Sequence, residues 1–152
     1  MRPIINKWLH AFHAVLAVLL LASCAERPAA DPGNTQQVSR GLEVYRMHCA
    51  ACHGAKLEGQ PNWRQRLPGG RFPAPPHDAN GHTWHHPDRL LFNITRNGIE
   101  RYAPPGYQSD MPAFGGKIPD ADIWAVLAYI KSTWPADIRK AQSQAEQNAR
   151  SN

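Results

Sequence analysis

Apolar residues are spread unevenly along the chain, and their spacing separates segments that can build a core from segments that cannot. Residues 14–22 (AVLAVLLLA) form one unbroken apolar run. It is shorter than the roughly 18 residues that a membrane-spanning helix requires, and no other run reaches that length. Residues 24–37 turn polar and rich in Pro, Gly and Ala, a composition that buries no core and predicts a flexible tether. Farther on, 87–98 (PDRLLFNITRNG) predicts a short helix, with Pro87 at its first position, Asp88 in its first turn and Asn97-Gly98 as its stop. A longer helix is predicted over 120–133 (DADIWAVLAYIKST), where Ile123, Val126, Leu127 and Ile130 share one apolar face. Asp120 and Asp122 favour its positive N-terminal end, and Pro135 stops it. Pro119 precedes this helix, so capping falls to Asp120 or to water. Residues 138–152 are predominantly polar and predict a frayed C-terminal tail. No segment alternates convincingly with a period of two, so the fold class predicted is all-α.

Composition adds organisation. The 152 residues accommodate one small domain, placed at 38–137, and the 14 Pro and 11 Gly argue against a long helical bundle. Arg2 and Lys7 precede the apolar run and small residues close it, which makes 1–23 an export signal. Leu21-Ala22-Ser23-Cys24 resembles a bacterial lipobox, whose Cys becomes the lipidated first residue of the mature chain. Cys24 is therefore the expected lipidation site, and Ala25, standing where an Asp would retain the protein at the inner membrane, favours the outer one. Losing 1–23 removes two cations and no acid, so the net charge falls from +5 to +3. The remaining Lys and Arg are scattered, without the basic block of a nucleic-acid footprint, and no nucleic-acid partner is expected.

The pentapeptide Cys49-Ala50-Ala51-Cys52-His53 carries the clearest chemistry. C-x-x-C-H is the attachment pattern of c-type haem. Two thiols three positions apart reach the two vinyl groups of one porphyrin, and the next residue brings an imidazole beneath the iron. A thioredoxin-like redox pair would follow a strand in a βαβ pattern, and none precedes it. A zinc site would require further Cys or His ligands at compatible spacing, and the only other cysteine is Cys24. The three cysteines are thus assigned, one to lipid and two to haem.

From here the chain resembles the class I c-type cytochromes, small monohaem electron carriers, over most of residues 38–134. The resemblance rests on GLEVY at 41–45 running into CAACHG, and on Asp110-Met111-Pro112-Ala113-Phe114, which is similar to the family's MPxF ligand loop. Val126-Leu127-Ala128-Tyr129 is similar to its last helix. The likeness implies a cytochrome c fold of three to four short helices around one covalent haem c. His53 and Met111, 58 residues apart, would be the axial iron ligands. It also implies that Gly41 and Tyr45 pack against the C-terminal helix, with Tyr129 facing Gly41. The carbonyl of either Pro75 or Pro76 would orient His53. Met47 cannot reach the opposite haem face from the helix leading into the motif, and is expected in the core.

Four more histidines, His77, His82, His85 and His86, crowd one loop. Pro87 keeps His86 out of helical backbone, so His82 and His86 are not expected to share a helical face. The loop has three readings: a polar surround of the haem edge, in which His, Trp84 and Arg bond propionates or cap the helix; a second metal site, above all for copper; or replacement of Met111 on the iron. The expected function is one-electron transfer by a membrane-tethered, periplasm-facing monohaem cytochrome c, with periplasmic or membrane redox proteins as partners. No residue set suggests an enzyme in its own right. The alternatives are copper handling by the His loop, or service as the haem subunit of a larger oxidoreductase or oxidase.

Overall fold

The structure, a computed structural model, describes residues 28–151; the expected export signal and Cys24 lie outside the described residues. Among the described residues five helices follow in order: α1 (Thr35–His48), α2 (Ala50–His53), α3 (Asp88–Asn97), α4 (Asp120–Ser132) and α5 (Ala136–Ser151). Short 3-10 turns occupy Thr83–His85 and Ile99–Arg101. No strand occurs among the described residues, so the all-α expectation is borne out, with more helices than the three to four foreseen.

The crossing of α1 and α4 organises the core. A Cβ at Gly41 would stand 2.0 Å from the Ala125 carbonyl oxygen and 2.8 Å from Tyr129 Cβ. Only a residue without a side chain lets the two helices approach this closely. Tyr45, wholly buried one turn later, lies against Tyr129 with ring centroids 5.4 Å apart. The expected meeting of Gly41, Tyr45 and Tyr129 is therefore present. Arg40 closes the same crossing with a two-pronged bond to Asp122, at 2.8 and 2.6 Å. α4 buries Trp124, Ala125 and Ala128 besides its expected stripe, as a helix apolar on most sides must. Phe92 of α3 covers another side by stacking on Trp124 at 4.4 Å.

Several expectations are corrected. α1 starts at Thr35, capped by Asn34, whose Oδ1 accepts the Gln37 N–H at 3.0 Å. Gln37 also donates to the Ala29 carbonyl and accepts from the Asp31 N–H, and Ala30 is buried. The last part of the expected 24–37 tether is thus tied to the domain. Residues 138–151 form most of α5 instead of fraying. Its buried Gln142 donates to Asp88 Oδ1 at 2.8 Å, and its Glu146 accepts the Asp88 backbone N–H. Asp88 also pairs with Lys131 of α4 at 2.5 Å, so one carboxylate joins three helices. Ile138 packs against the core, and these polar bonds, which apolar periodicity does not report, dock the helix beyond it. Pro87 is the extended N-cap of α3 and not its first helical residue. Pro119 likewise caps α4 without a side-chain bond, while Asp120 turns to Arg96 at 2.9 Å and Asp122 to Arg40. Met47, expected in the core, is 61% exposed, outside the α1 stripe of Gly41, Val44 and Tyr45.

Candidate functional site

Cys49 ends α1 and begins α2, its N–H donating to the Tyr45 carbonyl at 2.9 Å. One turn of α2 then carries Cys52 and His53. Cys49 is half-buried and Cys52 exposed. Burial pushes the Cys49 thiol up to about 11. Among the described residues, no group of three or more His, Cys, Asp or Glu side chains is placed to hold a metal ion. The second metal site, one of three readings of His77, His82, His85 and His86, therefore finds no support in the arrangement of these side chains.

His53 is nearly buried, and its Nδ1 lies 2.8 Å from the Pro75 carbonyl oxygen. A carbonyl can only accept, so Nδ1 carries the proton and Nε2 keeps its lone pair for a metal. Burial lowers the His53 pKa, outweighing the opposing effect of the Pro75 bond, and so favours the neutral ring. Between Pro75 and Pro76, backbone register chooses Pro75. Residues 57–60 run alongside 74–78: the His77 N–H donates to Leu57 at 2.8 Å and the Gln60 N–H to Ala74 at 2.9 Å. Gly59, at φ +68°, makes that approach possible, since a Cβ there would lie 2.5 Å from Pro76 N and 2.7 Å from the Pro75 carbonyl carbon. Tyr45 secures the other end of the motif by donating its hydroxyl to the Gly54 carbonyl at 2.8 Å.

The four loop histidines are in four different settings. His77 stacks on His53, with ring centroids 4.0 Å apart and planes inclined by 25°. Its Nδ1 bonds Thr83 Oγ1 at 2.8 Å, and its carbonyl accepts the Trp134 indole N–H at 2.7 Å. Burial, reinforced by neighbouring His53 and His82, drives the His77 pKa well below 6.5. His82 stacks on Trp63 at 5.4 Å and meets His86 edge-on at 5.6 Å. His85 lies on Trp84 at 3.6 Å. His82 precedes and His86 follows the Thr83–His85 turn, and His86 is extended, so the two do not share an α-helical face. Sequence reasoning missed Thr83 and Trp134. Trp134 sits 57 residues from the carbonyl it bonds, and nothing local signals that pairing.

Met111 is partly buried and packs against the core. Its N–H donates to Ser109 Oγ at 3.0 Å, and the Ser109 N–H donates to Glu100 Oε1 at 2.9 Å. Beyond it, Phe114 and Gly115 donate to the Thr95 and Arg96 carbonyls at 3.0 and 2.7 Å. Both flanks of the loop are thereby pinned to the end of α3 and the turn that follows.

Residues 38–134, well over half of the chain, match the Cytochrome c family. The chain belongs to the cytochrome c family. Comparison with curated proteins and with solved structures brings out no significant match. A cytochrome c domain implies haem c, one-electron transfer through its iron, and redox proteins as partners. This cytochrome c has the features such a group requires. The Cys49 and Cys52 side chains share one helical turn beside an imidazole whose Nδ1 is held by the Pro75 carbonyl, which leaves Nε2 to a metal. In addition, Trp84 Nε1 is buried without a partner among the described residues, a donor in want of an acceptor such as a propionate carboxylate.

Proposed function

We propose that this protein is an exported, membrane-tethered monohaem cytochrome c that passes single electrons between periplasmic or membrane redox proteins. The observation that carries this reading is the His53 imidazole, oriented through Nδ1 by the Pro75 carbonyl, directly after two cysteines at the haem-attachment spacing. Bound there, haem supplies an iron couple that takes up and releases one electron. Cys49 and Cys52 are the thioether sites, and His53 presents Nε2 to the metal. The Pro75 bond fixes the imidazole tautomer and raises its donor strength. Met111 offers its thioether from a loop pinned to α3, and the Trp84 N–H is free to bond a propionate. The 1–23 signal and Cys24 support export and a lipid anchor, with the outer membrane favoured by Ala25.

Three measurements test this. The haem should resist acid–acetone extraction, and Cys49→Ala with Cys52→Ala should abolish its covalent retention; extractable haem in the unmodified protein would overturn the attachment. Ferric protein should show the weak far-red band of thioether ligation, lost in Met111→Ala. A band unchanged in that variant removes Met111 from the iron. Intact mass spectrometry of the membrane fraction should find Cys24 acylated, and an unmodified Cys24 would sink the lipid anchor.

A further inference from the structure

The Pro75 bond by itself leaves one freedom to the His53 ring. Hydrogen bonds to a carbonyl oxygen accept a broad range of approach directions, so the imidazole could still tilt about its N–H···O line. His77 closes off that freedom. Its ring lies flat on one face of His53, centroids 4.0 Å apart and planes 25° from parallel. His77 is itself held at three points: its N–H bonds the Leu57 carbonyl at 2.8 Å, its own carbonyl accepts Trp134 Nε1–H at 2.7 Å, and its ring Nδ1 bonds Thr83 Oγ1 at 2.8 Å. Tyr45 stands edge-on to the same ring at 6.4 Å. A plate anchored at backbone and ring resists displacement by a tilting neighbour.

We propose that His77 is a positioning residue for the axial imidazole, fixing the plane of the His53 ring by stacking while Pro75 fixes its tautomer. This rests on the reading of His53 as the iron ligand. It separates His77 from His82, His85 and His86, none of which touches His53 in a comparable way. His77 thus acts on the haem through His53 and without coordinating metal itself. A stacked ligand held on one face and at its N–H has one orientation to offer in both oxidation states, which suits a carrier that must not rearrange at each transfer.

The test uses the haem-loaded protein and reads the ligand plane directly. In ferric low-spin haem with one imidazole and one thioether ligand, the spread and order of the haem-methyl proton resonances follow the orientations of both, so the Met111 methyl resonance is followed beside them and, when unchanged, leaves the imidazole plane as the source. His77→Leu keeps bulk but removes the plate; His77→Phe keeps a flat ring; Thr83→Val keeps shape but removes the ring bond. We expect His77→Leu to change the methyl pattern and shift the reduction potential, His77→Phe to restore the wild-type order, and Thr83→Val to change it in the same direction by less. If His77→Leu fails to fold, Thr83→Val carries the test alone, and a wild-type methyl pattern and potential in that variant then overturns the proposal. Wild-type methyl patterns and potentials in both His77→Leu and Thr83→Val, with only their melting temperatures lowered, would reduce His77 to packing and overturn the proposal. The pyridine haemochrome of the unmodified protein tests the underlying site separately; absence of covalent haem there overturns both readings, whereas its presence beside unchanged variants overturns only this one.

Discussion

Replacing Gly41 by Ala places one methyl group where two helix backbones already touch. Ordinary contact for such a carbon begins near 3.4 Å, yet the Ala125 carbonyl oxygen would be 2.0 Å away, a shortfall of about 1.4 Å. The obstacle is backbone and cannot rotate aside, so α1 and α4 must part. The gap opens beside Tyr45 and Ile123, both wholly buried, and stretches the Arg40–Asp122 bonds. A separation of about 0.5–1 Å already forfeits a quarter to a half of each dispersion contact. Overpacking of this kind costs about 1–3 kcal/mol or more, and a clash with backbone belongs at the upper end. Against it, Ala gains about 1 kcal/mol over Gly in helix propensity. The net destabilisation expected is about 2 kcal/mol, or a fall in Tm of roughly 8 °C or more at about 4 °C per kcal/mol. Thermal unfolding of the haem-loaded protein, followed by far-ultraviolet circular dichroism, measures it. Gly69→Ala is the internal control, since a Cβ there meets nothing within 4 Å. A Gly41→Ala protein that melts with the wild type, or above it, would refute the close-crossing argument.

Two further outcomes follow from buried polar contacts. Gln142→Ala removes a bond to Asp88 from a buried site and should lower stability by about 1–3 kcal/mol; hydrogen exchange should show α5 amides opening before those of α4, and uniform protection would contradict the docking. Asp122 is held below its ordinary 3.8 chiefly by its hydrogen bonds from Arg40. A depressed acid adds stability above its unfolded pKa and loses it as pH falls through the folded value. Asp122→Asn should therefore be the weaker protein at neutral pH and show a flatter acid limb in urea midpoints, whereas curves parallel to wild type would remove the pair from the stability of the crossing.

What could be read along the chain was what depends on neighbours in sequence. The CAACH spacing is local geometry on one helical turn, and its Cys49, Cys52 and His53 lie where that spacing implies. The α4 stripe follows helical period, and Pro87 excludes His86 from helical backbone by contact with the residue beside it. The meeting of Gly41 with Tyr129 was also legible, but through resemblance and not from spacing. Tertiary structure decided the rest. Pro75 and Pro76 are equivalent as sequence; the register of 57–60 against 74–78, made possible by Gly59, turns one carbonyl to His53. The four loop histidines are likewise indistinguishable by type, and only the bonds from Thr83, Leu57 and Trp134 set His77 on the His53 ring. Met47 is apolar yet exposed, because burial depends on which face of α1 meets α4. α5 is polar yet docked, because Gln142 and Glu146 find Asp88 more than fifty residues away. Each of these outcomes is a pairing between distant segments, and a linear pattern contains the bonding capacity of its residues but not the partners that folding brings to them.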